Sequence, residues 1–172
     1  MTGIRDFVLP PELTDKARQV IEANRAAGRR LAVAESCTGG LVAAALTEIA
    51  GSSDVLEGGF ITYSNESKMA LLGISEDLVE TFGAVSIAVA WAMAQGALKR
   101  TAADTAVAVT GIAGPGGGTP EKPVGAVFVA ASGPRRTKVR QFANPYDRET
   151  FKYVTAQQAL DLLRRMISAA DE

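Results

Sequence analysis

The spacing of apolar positions changes period several times along the chain, and each change marks an element. After Pro10-Pro11, the residues Leu13, Ala17, Val20, Ile21 and Ala26 recur every three or four positions among charged neighbours, which predicts an amphipathic helix ending near Gly28. Leu31 to Ala34 is a short unbroken apolar run, a strand candidate. Thr38 to Ala50 resumes helical spacing, rich in alanine, until Gly51-Ser52-Ser53 stops it. Phe60 to Tyr63 is β-prone and meets Ser64-Asn65, where Asn65 is expected to cap a helix containing Lys68, Leu71 and Leu72. A short helix around Glu76 to Phe82 and a long one from Ser86 to Ala102 follow, the latter carrying Trp91 as an expected core residue. Thr105 to Thr110 is a strand entering a glycine-rich loop from Gly111 to Pro123. Gly125 to Ala131 and Thr137 to Phe142 read as two strands around a turn at Gly133-Pro134, and Arg148 to Ala169 closes the chain as a helix.

Strands alternating with helices require a sheet covered on both faces, and the late strand pair adds an antiparallel neighbour. The expected fold is α/β, a three-layer α/β/α sandwich with a mixed, mostly parallel sheet, in a single domain over residues 1–172. Ligands of such folds collect at the carboxyl ends of strands, where Ser36, the segment Tyr63 to Lys68 and the loop Thr110 to Gly118 would meet.

Composition then removes whole classes of function. The 172 residues, 47% of them apolar, suffice for one core. A net charge of −1 leaves no general field for a nucleic acid, despite the local cluster Arg135, Arg136, Lys138 and Arg140. The single Cys37 permits no internal disulfide and fits a reducing compartment, so a cytoplasmic location is expected. Arg5-Asp6 and the brief run Phe7 to Leu9 do not make a signal-peptide core. The stretch Ala84 to Leu98 is too short for a bilayer and contains Ser86 and Gln95, so no membrane segment is expected. The absence of histidine excludes Ser-His-Asp chemistry and His-containing metal sites. Asp54, Glu57, Asp77 and Glu80 lack metal-ligand spacing and read as surface charges, so neither metal nor cofactor is expected.

Within these bounds, Ser36 stands where a strand turns into a helix, so backbone N–H groups at the helix start can form an oxyanion hole beside it. Gly39 and Gly40 allow close backbone approach, and Thr38 can cap the helix or contact a ligand. The plain alternative is that Ser36 only caps a helix. Cys37 is an alternative nucleophile, although cysteine is more often a small buried residue. Lys68, in a first helical turn, feels a dipole that disfavours its ammonium form. To act as a base near neutrality it must titrate about 2–3 pH units below its ordinary ~10.4, which requires burial in the crevice rather than an exposed position. Tyr63 is either a strand residue or a proton relay. Gly111 to Gly118 can offer N–H groups to an anion but lacks the Walker and dinucleotide-binding signatures, so a flexible connection is equally consistent with it. Arg148 and Lys152, one helical turn apart, can reach a phosphate or form a solvated face.

Taken together, Ala34-Glu35-Ser36-Cys37-Thr38-Gly39-Gly40, Tyr63-Ser64-Asn65-Glu66-Ser67-Lys68 and Thr110-Gly111-Ile112-Ala113-Gly114-Pro115-Gly116-Gly117 closely resemble, in order and spacing, the CinA C-terminal domain family. The resemblance runs from about Leu13 to Leu163 and implies an α/β/α sandwich and nicotinamide-nucleotide amidase activity, converting nicotinamide mononucleotide to nicotinate mononucleotide and ammonia. It implies Ser36 as nucleophile, Lys68 as base and Tyr63 as a supporting catalytic group. It also implies a nucleotide pocket formed by Thr38, Gly39, Gly40, Asn65, Thr110, Gly111, Gly114, Gly116, Gly117 and Arg148. The implied partner is a small nucleotide, with no nucleic acid or membrane, and the alanine-rich helices leave room for a homo-oligomer. The chain resembles the stand-alone amidase portion of the family. It departs from the family's Gly-Asp-Arg start of the last helix, carrying Asn144-Pro145-Tyr146-Asp147-Arg148, so Tyr146 is expected to narrow the crevice or alter phosphate binding. Three rival readings are a non-catalytic nucleotide-binding module, a Ser/Lys hydrolase of another small amide or ester, and an interaction domain in DNA uptake or damage response.

Overall fold

The computed structural model describes residues 9–168. Three strands, β1 (Leu31–Glu35), β3 (Thr105–Gly111) and β4 (Ala126–Ser132), are buried almost throughout, because a sheet covered on both faces tolerates continuous apolar runs. The two flanking strands, β2 (Leu56–Ile61) and β5 (Thr137–Ala143), largely alternate between partly buried and exposed positions, as edges do. The order β2-β1-β3-β4-β5 has β1 parallel to β2 and β3, whereas β4 runs antiparallel to β3 and β5. The sheet is therefore mixed, with helices on both sides.

The two faces are built from different side chains. Leu31, Val33, Val107, Val109, Val127 and Val129 pack against α1 (Pro11–Ala26), α2 (Leu41–Thr47) and α6 (Arg148–Ser168). On the other side Ala32, Ala34, Ala106, Ala108 and Ala130 meet Ala90, Met93, Ala94 and Ala97 of α5 (Ile87–Arg100), so that helix lies on a floor of methyl groups. The shorter α3 (Asn65–Leu72) and α4 (Glu76–Phe82) complete this layer. Gly96 marks where α3 and α5 touch, since a Cβ there would stand 2.4 Å from the Leu72 carbonyl oxygen.

Several expectations need correction. The second strand begins earlier than Phe60, at Leu56, because its pairing with β1 starts at Leu31. The second helix occupies only Leu41–Thr47, since residues 37–40 form a turn with Gly39 and Gly40 in left-handed backbone. Ser64 rather than Asn65 caps α3: its hydroxyl accepts from the Ser67 N–H at 3.0 Å while its own N–H donates to the Ser67 hydroxyl at 3.1 Å. This reciprocal box satisfies two otherwise orphaned donors, an advantage Asn65 cannot match from inside the helix. Trp91 is not in the core; it is 49% exposed on the outer face of α5, while Ala90 and Met93 point inward. The residues at the N-terminal Arg5-Asp6 and Phe7 lie outside those described. Among the described residues, no helix is long and apolar enough to cross a membrane.

Topology decides where a site can form. The chain leaves β1 toward β2, then returns across it through three helices to β3, so the carboxyl ends of these strands share one edge. The antiparallel β4 and β5 carry the chain away and back, which delivers the start of α6 to that same edge.

Candidate active site

Ser36 follows the last residue of β1. Its N–H donates to the Val109 carbonyl at 3.0 Å and its carbonyl accepts from the Gly39 N–H at 3.0 Å, so it is held between the sheet and a tight turn. From α3 the Lys68 amine reaches the Ser36 hydroxyl at 3.1 Å, the Thr62 carbonyl at 2.8 Å and the Tyr63 carbonyl at 3.5 Å. Lys68 is only 1% exposed, and the contacts of its amine are with one hydroxyl and two carbonyls rather than with a carboxylate. Burial pushes its pKa below the usual lysine range, because a charged amine loses hydration there with no anion in return. A neutral amine fits the three contacts: two N–H groups face carbonyls, and the lone pair is left for the Ser36 O–H.

The neighbouring thiol is unsuited to attack. Cys37 is buried, and burial, reinforced by the Glu35 carboxylate, pushes its pKa up to about 12. The thiolate is therefore negligible near neutrality.

The cavity beside Ser36 has a volume of about 270 Å³ and is walled by Ser36, Cys37, Tyr63, Asn65, Lys68 and, across from them, the loop from Thr110 to Gly117. Thr110 is buried and donates its hydroxyl to the Ala84 carbonyl at 2.8 Å, fixing the connection between α4 and α5 as another part of the wall. Gly111 admits no side chain: a Cβ would meet the Ala126 carbonyl oxygen at 2.9 Å and the Cys37 sulfur at 3.1 Å. The amides of Gly114, Gly116 and Gly117 have no backbone acceptor among the described residues. Arg148 crosses the rim, donating to the Gly114 carbonyl and to the Tyr63 hydroxyl, both at 2.8 Å. Asp147 holds the start of α6 by accepting from the Thr150 N–H and hydroxyl, and these bonds lower its pKa below the usual carboxylate value.

The matches to known proteins bear on the same segments. Residues 13–167 match the model of the CinA C-terminal domain. The chain belongs to that family. A CinA-like protein of Mycobacterium avium (strain 104) is 54% identical over 149 residues, covering 84% of this chain and 34% of that protein. One from Desulfotalea psychrophila is 47% identical over 166 residues, covering 96% of this chain and 40% of its own length. The chain thus spans roughly a third of the length of the curated relatives it matches. Among solved structures, a competence/damage inducible protein CihA from Agrobacterium tumefaciens superposes with a TM-score of 0.86 at 44% identity, covering 94% of this chain and 98% of that one. The competence damage-inducible protein A from Klebsiella pneumoniae gives 0.87 at 34% identity, with coverages of 91% and 97%.

In this CinA C-terminal domain the folded chain brings together Ser36, Lys68, Tyr63, Asn65, Thr110, Gly111, Gly114, Gly116, Gly117 and Arg148. It does not bring Thr38, Gly39 or Gly40 to the cavity wall. Thr38 is fully buried and gives its hydroxyl to Glu35, while a Cβ on Gly40 would meet Ile61 at 2.9 Å on the far side of the turn. Tyr63 is 61% exposed, and its hydroxyl accepts from Arg148 rather than meeting Ser36 or Lys68. Lys152 lines a separate cleft of about 720 Å³ with Leu13, Leu41 and Tyr153, so only Arg148 of that pair borders the cavity. Tyr146 is half exposed and is not among the residues walling the cavity beside Ser36.

Glu35 is the residue that motif reading passed over. Its carboxylate accepts from the Gly40 N–H at 3.1 Å, the Val42 N–H at 3.1 Å, the Ala43 N–H at 2.8 Å and the Thr38 hydroxyl. The expected oxyanion donors at the helix start are therefore already occupied. A charged residue closing an apolar strand, just before a helix whose cap is glycine, was the available signal.

Proposed function

We propose that this CinA-family domain is a Ser/Lys amidohydrolase that converts nicotinamide mononucleotide and water to nicotinate mononucleotide and ammonia. The observation that carries the reading is the 3.1 Å contact between a buried amine without a counter-ion and a hydroxyl that opens onto a cavity. Neutral Lys68 takes the Ser36 proton as the oxygen attacks the carboxamide carbon. The protonated amine then passes its proton to departing ammonia, and the resulting acyl-enzyme is hydrolysed by a water that Lys68 activates. No metal or cofactor enters these steps.

A small ring amide suits the cavity of about 270 Å³, and the glycine-loop amides with Arg148 supply donors for the anionic end of a nucleotide. That anchoring would hold the amide in line with Ser36. The family resemblance supplies the identity of the substrate.

The test is ammonia release from nicotinamide mononucleotide by the purified protein. Ser36→Ala and Lys68→Ala should each lower turnover by about 10³-fold or more, since members of one catalytic unit fail together. Full turnover in Ser36→Ala would remove the nucleophile from the scheme. Binding of the nucleotide without any ammonia from the parent protein would favour a non-catalytic module.

A further inference from the structure

Glu35 stands beside the reaction without touching the cavity. Strand alternation places it on the face of Leu31 and Val33, where it is 1% exposed. Its partners are the first amides of α2, a helix whose own cap, Gly40, has a left-handed backbone and no side chain to offer. Filling those donors with a carboxylate also sets a negative charge against the positive end of the helix dipole. The cost of burying the charge is offset by four donors directed at it. One consequence is mechanical: Ser36 lies between a strand residue and a turn that Glu35 pins through Thr38 and Gly40. The other is chemical: the Gly40, Val42 and Ala43 amides are taken by Glu35, and those of Gly39 and Leu41 by the Ser36 and Thr38 carbonyls, so the turn that carries the Ser36 hydroxyl to the cavity is bonded on both sides.

We propose that Glu35 is a positioning residue for the Ser36 turn: it takes up the amides of α2 and the Thr38 hydroxyl, and thereby holds the turn that carries the Ser36 hydroxyl to the cavity. This rests on Ser36 being the nucleophile proposed above. Glu35→Gln keeps the shape but turns an N–H₂ group toward a ring of donors, and Thr38→Val removes one contact only.

A fluorophosphonate separates this role from the choice of substrate. In its reaction the Ser36 oxygen–phosphorus bond forms as the phosphorus–fluorine bond breaks, fluoride leaves, and the hydroxyl proton passes to Lys68. Labelling followed by intact mass should be slowed about 10–100-fold in Glu35→Gln, on the scale of a reacting group displaced by about 1 Å. Thr38→Val should be slowed less, and the double variant should match Glu35→Gln alone, because the two residues act as one unit. With nicotinamide mononucleotide, the loss should appear in kcat with KM nearly unchanged. Labelling of Glu35→Gln at the parent rate, or effects of the two substitutions that multiply independently, would overturn the role of Glu35 while leaving Ser36 as nucleophile. If Glu35→Gln does not fold, Thr38→Val decides: parent-rate labelling rejects the proposal, and slowed labelling with unchanged KM supports it. A parent protein that takes no label at Ser36 overturns the nucleophile and this role together.

Discussion

At the scale of single residues, the burial of the Lys68 amine comes at the expense of stability. Its folded pKa is lowered, so below that pKa the folded protein carries a buried ammonium, and the full cost is present. Between the lowered value and the ordinary lysine value, the unfolded chain binds a proton that the folded one has released, and stability rises with pH across that window. Lys68→Met should therefore be inactive yet more stable than the parent at neutral pH. Its advantage should shrink as pH approaches the ordinary lysine range. Each kcal/mol gained corresponds to about 2–4 °C in Tm for a domain of this size, readable by calorimetry; a lower Tm at neutral pH would contradict this account. Cys37 gives the opposite expectation. With its pKa near 12, the parent should resist iodoacetamide at neutral pH, and Cys37→Ser should keep activity within about tenfold, since the proposed reaction does not use the thiol.

Elements matter because they convert small backbone contacts into side-chain positions. The capping box of Ser64 and Ser67 fixes the entry of α3, and Lys68 lies one residue beyond it. The far end of α3 is fixed by α5, where Gly96 lets Leu72 approach. Gly96→Ala would put a Cβ 2.4 Å from a carbonyl oxygen, which a flexible side chain cannot relieve. The helices must separate. The expected cost is about 1–3 kcal/mol of stability, and Lys68 should shift with its helix, so kcat should fall even at temperatures where the variant stays folded. Thermal melts and steady-state kinetics on the same sample measure both, and unchanged kcat with lowered Tm would show that the two ends of α3 are not coupled.

For the whole molecule, the mixed sheet sets the geography: parallel crossovers put Ser36 and Lys68 at one edge, and the antiparallel pair returns Arg148 to it. Interactions at the opposite end should then affect stability alone. Lys16 on α1 and Asp161 on α6 form an ion pair at 2.7 Å whose side chains are about a third exposed, so solvent screens it. Asp161→Asn should cost less than about 1 kcal/mol and leave kcat and KM unaltered. A change in kcat would mean that α6 transmits strain along its length to Arg148.

Much of this was legible in the order of residues. Helical spacing and apolar runs determined the sequence of elements, the absence of histidine narrowed the base to a lysine or another unusual group, and three ordered motifs named the family. These are local properties, or properties of composition, and the chain carries them before it folds. Burial and hydrogen-bond partnership depend on what lies across the sheet, so they were not legible. Only the tertiary structure could turn Trp91 outward, draw Thr38 away from the cavity, bond Tyr63 to Arg148 and give the α2 amides to Glu35. The sequence separation of 32 between Ser36 and Lys68 is closed to 3.1 Å by strand pairing and helix packing, and those long-range contacts decide whether the amine is a dry, uncharged group or a solvated charge.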